Sequence, residues 1–259
     1  IAVDQDSQAL SIAKRVLKPY RDRTSFVHAR FDQALDHFSL QGLLSGAFLD
    51  LGVSSRQLDD DARGFTFRKN VNLDMRMDCA NSKLPTAAQV LNEASEEKLE
   101  KIFRDYGEEP KARKLAHGIV SRRRNNPFLT SDDLVAILYK TFRRIPKNKE
   151  KARIFQALRI SINDELGCLS RGLERIRMDL ESGASFVVIT YHSLEDRIVK
   201  RSFREWSQSC ICPPKIPVCS CRGKALGHVP LARGVKPSSD EIQQNSRARS
   251  ARLRIWRKA

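Results

Sequence analysis

Three side chains with binding chemistry follow three successive apolar runs near the start of the sequence. Asp4 ends the run IAVD, Phe31 comes shortly after TSFVHA, and Asp50 ends GAFLD. A carboxylate at the end of a strand can accept hydrogen bonds from both hydroxyl groups of a ribose, and an aromatic ring can stack on a base. Together these residues predict a nucleoside site, although Asp is also a common helix N-cap and Phe a common core residue.

These side chains need a sheet that brings their strand ends to one edge. Strand, helix, strand, helix and strand over residues 1–51 predict parallel strands with right-handed crossovers, and Ser7 is the predicted cap of the first helix. Asp50 then lies at the carboxyl edge of the sheet, where open α/β folds bind ligands. A solvated loop start is the other interpretation of Asp50. We expect that an upstream strand and a Gly-rich turn are missing before Asp4.

The middle of the sequence predicts helices. From about 84 to 150 the apolar residues recur at helical spacing, and Ser95 and Thr130 occupy N-cap positions. This pattern is typical of a helical bundle inserted into an α/β domain. Basic runs at 121–126 and 142–151 are either solvated faces or a phosphate-contacting surface.

The last third of the sequence predicts a return to the sheet. Residues 153–181 indicate one long helix closed by Gly183, and ASFVVIT (184–190) indicates a strand. Ser193 is the predicted cap of the next helix. The alternation in SARLRIWR predicts a final strand with one basic face.

The charge of the chain favours a polyanionic partner. Among 259 residues, 47 Lys and Arg against 31 Asp and Glu give a formal net charge of +16, and such an excess binds phosphates by releasing counterions. Arg63, Arg68 and Arg76 flank the segment after Asp50 and are candidate phosphate contacts, although Arg76 can instead pair with a neighbouring acid. No apolar run reaches the roughly 18 residues of a membrane span.

The six cysteines fall into two groups. Cys79 and Cys168 are isolated, which is typical of buried thiols. The other four form two CxC pairs, at Cys210, Cys212, Cys219 and Cys221. One such cluster does not resemble a secreted disulfide framework, but it could supply four thiolates to a structural zinc ion.

Longer motifs carry a resemblance over nearly the whole chain. They are DLGVSSRQLDD, RGFTF, LDMRMD, FQALRISINDELG, YHSLEDRIVKR and NSRARSARLR. These motifs closely resemble the RsmH (also called MraW) family of S-adenosylmethionine-dependent methyltransferases, which methylate N4 of a cytosine in small-subunit ribosomal RNA. The resemblance implies a Rossmann-like class I methyltransferase sheet with an inserted all-helical domain. It also implies S-adenosyl-L-methionine as cofactor and the small ribosomal subunit or its RNA as partner.

Carried over by motif, the resemblance implies a set of site residues. Asp4 would bind the ribose, Phe31 would lie near the adenine, and Asp50 and Gln57 would surround the methionine end. Asp50 is predicted to orient the amine that is methylated, with His192 as a proton acceptor. His192 can also be a helix-entry residue that fixes its loop. The resemblance implies no metal.

Some positions depart from the family pattern. Tyr191 stands where the family commonly has Phe, Ser246 where it has Pro, and Lys149, Glu150 and Lys151 where it has His-Pro-Ala. These departures are similar to the eukaryotic mitochondrial branch, which predicts the mitochondrial matrix, with a bacterial cytoplasm as the alternative. The family's Gly-rich loop, close to GxGGHS, is absent, so we expect this chain alone to bind cofactor weakly and to be inactive as a fragment.

The predicted organisation has three parts: a first methyltransferase segment (1–82), an inserted helical substrate-recognition domain (83–152), and a second methyltransferase segment (153–259). A non-catalytic RNA-binding ribosome assembly factor that keeps the same fold is the competing function. A methyltransferase of proteins or small molecules fits the positive charge less well. The sequence leaves open whether the protein forms a homodimer.

Overall fold

The computed structural model describes residues 1–38, 40–78, 83–213, 218 and 220–259. Cys79 and Cys219 lie outside these residues. The described chain has an α/β fold with a mixed sheet and many helices, and it divides into two compact units. The first unit comprises Ile1–His28 and Val53–Glu165, and the second comprises Ala29–Gly52 and Leu166–Ala259.

The second unit contains a four-stranded mixed sheet in the order β3-β4-β6-β5. Its strands are β3 (Leu44–Asp50), β4 (Leu180–Thr190), β5 (Gly227–His228) and β6 (Arg252–Lys258). β3 and β4 are parallel, whereas β6 is antiparallel to both β4 and β5. The parallel pair places the ends of β3 and β4 at one edge, with Asp50 opposite Ile189.

Aromatic side chains form much of the core of the second unit. Helices α8 (Glu165–Asp179) and α9 (Ser193–Trp206) supply part of it, and β4 and β6 supply most of the rest. Trp206 packs edge-on against Trp256, with ring centroids 5.2 Å apart. Phe186 and Phe203 complete the group, and each of these rings is at most 2% exposed. Large aromatic rings buried in this way supply much of the hydrophobic stabilisation of a core.

The first unit begins with a parallel pair of strands, β1 (Ala2–Asp4) and β2 (Phe26–His28), connected through α1 (Ser7–Val16). The three strands predicted to share one sheet are thus divided, since β3 pairs with β4 instead. The cap of α1 is Asp6 and not Ser7, because the Asp6 side chain accepts the Gln8 N–H.

The rest of the first unit is helical, as the spacing predicts. Its helices are α2 (Ser55–Asp59), α3 (Ala87–Glu93), α4 (Glu96–Lys101), α5 (Ala112–Arg123), α6 (Ser131–Phe142) and α7 (Asn148–Asn163). Ser95 and Thr130 are N-caps, as predicted. Phe103, Leu115 and Phe128 are completely buried in the core that these helices share.

Three predictions about the last third of the chain are wrong. The long helix over 153–181 breaks at Asp164, whose left-handed backbone (φ +50°) separates α7 from α8. Gly183 lies inside β4 instead of closing a helix. The cap of α9 is His192 and not Ser193, because the His192 ring accepts the Glu195 N–H. A short α10 (Ser239–Gln244) precedes β6.

The predicted basic face of the final strand is wrong at Arg254. This side chain is 7% exposed, and its guanidinium makes two hydrogen bonds to Asp196, at 2.6 and 2.9 Å. Trp256, two residues further on, is on the same buried face of β6. No helix among the described residues is both long and apolar enough to cross a membrane.

Candidate functional site

Asp4 is the last residue of β1, and its carboxylate is half-buried. Its Oδ1 accepts the Asp6 backbone N–H at 2.7 Å, while Oδ2 makes no hydrogen bond with the residues that the structure describes. Burial raises the pKa of Asp4, and the neighbouring Asp6 charge adds to the rise. The side chain therefore has one oxygen fixed by the backbone and one that is available to a ligand.

Asp6, two residues after Asp4, forms a buried ion pair with Arg63. Asp6 is 2% exposed, and Oδ2 accepts hydrogen bonds from Arg63 Nη1 at 2.8 Å and from Gln57 Nε2 at 2.7 Å. Burial alone would raise the pKa of Asp6, but these bonds and the Gln8 N–H outweigh it and lower the pKa. Arg63 also donates to the Met77 carbonyl oxygen at 2.8 Å. Asp6 thus connects β1, α1, α2 and the segment that follows α2.

Gln57 is held at both ends of its amide. Its oxygen accepts the Ser54 N–H at 3.0 Å in a capping box at the start of α2, and its nitrogen donates to Asp6. Asp4 and Gln57, both predicted cofactor residues, are therefore linked through Asp6, which the sequence analysis did not select. The acidic pair in DQD was the available signal for Asp6.

Asp50 is exposed at the end of β3 and is held by a residue from the neighbouring strand end. Tyr191 comes immediately after β4, and its Oη donates to Asp50 Oδ1 at 2.9 Å. Oδ2 makes no further hydrogen bond within the described part of the chain. Burial, followed by the bond to Asp50, raises the pKa of Tyr191 to about 12, so the hydroxyl stays protonated and acts as a donor near neutral pH. In the sequence, Tyr191 is notable only as a departure from the family pattern, and no role was predicted for it.

His192 enters α9 beside this pair. Its Nδ1 faces the Glu195 N–H at 3.5 Å, and its Nε2 is 3.0 Å from Glu195 Oε1, without hydrogen-bond geometry. Glu195, 2% exposed, accepts the Tyr191 N–H at 2.9 Å through Oε2. These contacts match the helix-entry role of His192, and they also fix the backbone that carries the Tyr191 hydroxyl.

Phe31 belongs to the second unit and packs against α8. A Cβ atom on Gly172 would be only 2.4 Å from Phe31 Cε2, so glycine is required for this approach. The next residue, Asp32, is buried and receives hydrogen bonds from Arg30 and Arg171, which anchor the turn. Part of the Phe31 ring is therefore engaged in packing, and its placement near an adenine stays a prediction.

The arginines after Asp50 have mostly structural partners. Arg63 is buried on Asp6, and Arg76 makes two 2.7 Å bonds to Asp74, as the alternative for that residue predicts. Arg68 is half-exposed and pairs with Asp59 and Asp61. The prediction that Arg63 contacts phosphate is wrong, because its guanidinium is buried and pairs with Asp6.

Several arginines in the basic runs of the helical segment also have partners within the protein. Arg122 pairs with Asp133 at 2.6 Å, and Arg123 donates to two carbonyl oxygens at the end of α3. Arg144 pairs with Glu150 through two bonds. Side chains that stay exposed around α5 are Lys111, Arg113, Lys114 and Arg124.

Comparison with known proteins shows the family of this chain. The whole chain, residues 1–259, matches the MraW methylase family, and it belongs to that family. Among its relatives is the protein named ribosomal RNA small subunit methyltransferase H of Gemmatimonas aurantiaca. The two are 46% identical over 261 residues, which cover 99% of this chain and 82% of the relative.

Further relatives carry the same name. The protein from Symbiobacterium thermophilum is 42% identical, over 98% of this chain and 81% of its own length. The protein from Clostridioides difficile is 39% identical, over 100% of this chain and 84% of its own length. The resemblance inferred from the motifs is thus confirmed at the level of the family.

Proposed function

We propose that this chain carries out S-adenosylmethionine-dependent methylation of cytosine N4 in small-subunit ribosomal RNA. Family membership supports methyl transfer, and the names of the relatives support the RNA substrate. The observation that carries the chemical part is the carboxylate of Asp50. It is exposed at the end of a parallel strand, with one oxygen fixed by Tyr191 and the other available.

The residues of the first unit fit the cofactor's ribose. Asp4 lies at a strand end with Oδ1 fixed by the backbone, which leaves Oδ2 to accept hydrogen bonds from hydroxyl groups. Gln57 acts in this proposal through Asp6, because its amide nitrogen already donates there. Gln57 is therefore proposed to fix the loop beside the cofactor, and the direct contact implied by the family resemblance stays a prediction.

Bound S-adenosylmethionine supplies a methyl group on a sulfonium sulfur, which is a good leaving group. The difficulty lies with the acceptor, because the lone pair of a cytosine amine is delocalised into the ring. Asp50 Oδ2 can accept one amine N–H, which turns the lone pair toward the methyl group and favours the pyramidal nitrogen. In-line attack then requires an approach of about 3 to 3.5 Å, which such positioning provides.

The methylated nitrogen must lose one proton. After transfer this nitrogen is cationic and acidic, so a strong base is not needed beforehand, and the carboxylate of Asp50 can accept the proton. Both ring nitrogens of His192 face Glu195, which makes His192 the less suitable acceptor. We therefore assign His192 to positioning and Asp50 to direct contact with the amine.

The exposed cations around α5 are proposed to bind the RNA backbone. Arg113 and Lys114 lie on the solvent-facing side of the helical segment, within the region proposed from sequence (83–152) as the substrate-recognition domain. Phosphate contacts of this kind position the RNA and make its binding depend on salt.

The charges on α5 can be tested with RNA. Replacing Arg113 and Lys114 with Gln should weaken RNA binding and reduce the slope of log K against log salt by about 1 for each phosphate that is no longer bound. Lys200→Gln, an exposed cation on α9, is the matched control. If the α5 pair and the control give the same small change, the RNA binds elsewhere on the protein.

The cellular compartment in which the protein acts is also part of this proposal. The departures at Tyr191 and Ser246 favour the mitochondrial matrix, whereas the relatives described above are bacterial proteins and favour a bacterial cytoplasm. Fractionation of the native cells, followed by detection of the protein, distinguishes the two.

The decisive experiment measures the methylated base. Small-subunit ribosomal RNA from cells with and without the gene is digested and analysed for N4-methylcytidine by mass spectrometry. The complete gene should restore the base, the same gene with Asp50→Ala should not, and Asp240→Ala, an exposed acid on α10, should restore it. Equal N4-methylcytidine in cells with and without the gene would refute the proposal.

The same experiment tests the competing function, a non-catalytic assembly factor. That function predicts a defect in subunit assembly on loss of the gene, and restoration of assembly by both the unchanged gene and Asp50→Ala without any change in N4-methylcytidine. The available oxygen of Asp50 favours the enzyme.

A further inference from the structure

Three cysteines lie together in the loop between α9 and β5. They are Cys210, Cys212 and Cys221, called here the cysteine cluster, and their Sγ atoms all lie within 4.8 Å of one another. None of the three is in a disulfide. The cluster belongs to the second unit and takes no part in the proposed methyl transfer.

The spacing of these sulfur atoms suits a tetrahedral metal. Zinc binds thiolates at about 2.3 Å, which places sulfur ligands roughly 3.8 Å apart in a tetrahedron. The observed separations exceed this by at most about 1 Å, a distance that small rotations of exposed or half-exposed side chains can close. Oxygen-preferring ions such as Mg²⁺ do not fit an all-sulfur set.

A backbone donor lies next to one sulfur atom of the cluster. The Ile211 backbone N–H donates to Cys221 Sγ at 3.3 Å. In metal sites, a hydrogen bond of this kind to a ligand atom helps to orient that ligand.

Hydrogen bonds hold both ends of the loop that carries the cysteine cluster. Arg222 donates to the carbonyl oxygens of Glu205 and Gln208 at the end of α9. The Leu226 N–H donates to the Trp206 carbonyl at 2.8 Å, just before β5. Both ends of the loop are therefore fixed, whereas Ile211 and Val218 between them are exposed.

We infer that the cysteine cluster is a structural zinc site. The ion binds the thiolates of Cys210, Cys212 and Cys221 and holds the loop to the end of α9. The inference rests on these three residues. It is independent of the proposed methyl transfer.

Metal analysis of the purified protein tests the site directly. The full chain, purified with reductant and without chelator, should contain about one zinc ion per molecule by elemental mass spectrometry. Cys212→Ser and Cys221→Ser should each lose most of it. Cys168→Ser is the matched control, because Cys168 is a buried thiol bound to Asp32, and it should retain the full zinc content.

A second measurement uses the unchanged protein, so it does not depend on whether the variants fold. The native protein is treated with an alkylating reagent before and after a strong zinc chelator, and modified cysteines are identified by mass spectrometry. The three cluster cysteines should be protected before chelation and modified after it. The inference fails if zinc is absent and the thiols react at once, if two of them form a disulfide, or if the serine variants keep their zinc.

Discussion

Asp4 and Asp50 look alike in the sequence, because each ends an apolar run, but the two units surround them differently. Asp4 is half-buried and has a raised pKa. Its carboxylate accepts the N–H of Asp6, which forms a buried ion pair with Arg63. Asp50 is exposed, and its one hydrogen bond among the described residues comes from Tyr191. The first unit thus embeds its strand-end acid in the fold, whereas the second presents its acid to solvent.

The difference suggests separate tasks for the two acids. A partly desolvated carboxylate gains more from a ligand's hydroxyl groups, because the low local dielectric strengthens the hydrogen bonds. An exposed carboxylate can be reached by a large substrate such as RNA. Replacing Asp50 should therefore change chemistry with little effect on stability, whereas changes around Asp4 should affect binding and folding together.

The largest expected effect separates the two acids kinetically. Asp50→Ala should lower kcat by about 10³-fold, within the range that positioned proton acceptors contribute. Asp4→Ala should mainly weaken cofactor binding, with a much smaller change in kcat at saturating cofactor. Steady-state kinetics with both substrates varied, using protein from the complete gene, measures this split. A large kcat loss for Asp4→Ala and a binding loss for Asp50→Ala would reverse the comparison.

The next effect concerns stability in the first unit. Arg63→Met should lower the free energy of unfolding by about 3–5 kcal/mol, because it leaves Asp6 buried without its cation. Arg76→Met is the matched control, since the Asp74–Arg76 pair is more exposed, and it should cost much less. Urea unfolding followed by circular dichroism measures both. Equal losses would mean that burial of Asp6 does not set the cost.

The same ion pair makes stability depend on pH. The pKa of Asp6 is lowered in the folded state, so its stabilisation is complete above the unfolded pKa and is lost as the pH falls through the folded value. In Arg63→Met the folded-state pKa of Asp6 should rise, because burial still raises it and the cation that lowered it is gone, so the stability lost on acidification should be smaller than in the unchanged protein. Unfolding curves recorded across acidic pH test the direction of the shift.

A smaller effect is expected at the bond between Tyr191 and Asp50. Tyr191→Phe removes one hydroxyl group and restores the residue that the family commonly has, so kcat should fall by less than about tenfold, the value of one net hydrogen bond. The Michaelis constant for cofactor should stay the same. A loss as large as that of Asp50→Ala would give Tyr191 a direct chemical role.

The smallest effect is the pH dependence of cofactor binding. In the proposed site, ionised Asp4 accepts hydrogen bonds from hydroxyl groups, and its raised pKa means that protonation begins at a higher pH than for an ordinary aspartate. Affinity should therefore fall on mild acidification, and Asp4→Asn should remove that dependence. Calorimetric titration at several pH values measures it. A fall in affinity that persists in Asp4→Asn would place the titrating group elsewhere.

Strand and helix positions were largely predictable because they depend on local patterns. The periodic apolar residues indicated the helices of the first unit, and ASFVVIT indicated β4. The break at Asp164 was not predictable in this way, because the apolar spacing continues across it and only the backbone reverses hand. The caps Asp6 and His192 were missed because a serine, itself a preferred N-cap residue, follows each of them.

Side-chain partners distant in sequence were the main failure. Arg254 alternates with apolar residues as an exposed cation would, yet it is buried against Asp196, 58 residues away. Arg63 and Asp6 are 57 residues apart, so no local pattern links them. Asp50 was selected correctly as a strand-end residue because that feature depends on the strand alone, whereas its partner Tyr191 is 141 residues distant.

The position of β6 has a consequence for biosynthesis. β4 accepts β6 along one side, and Thr190 pairs with Arg252, 62 residues later. Until the ribosome has delivered those residues, β4 has an open edge, and the indole of Trp256 is missing from the aromatic group around Trp206. Such open edges can pair with other strands, so this sheet is complete only after β6 has been translated.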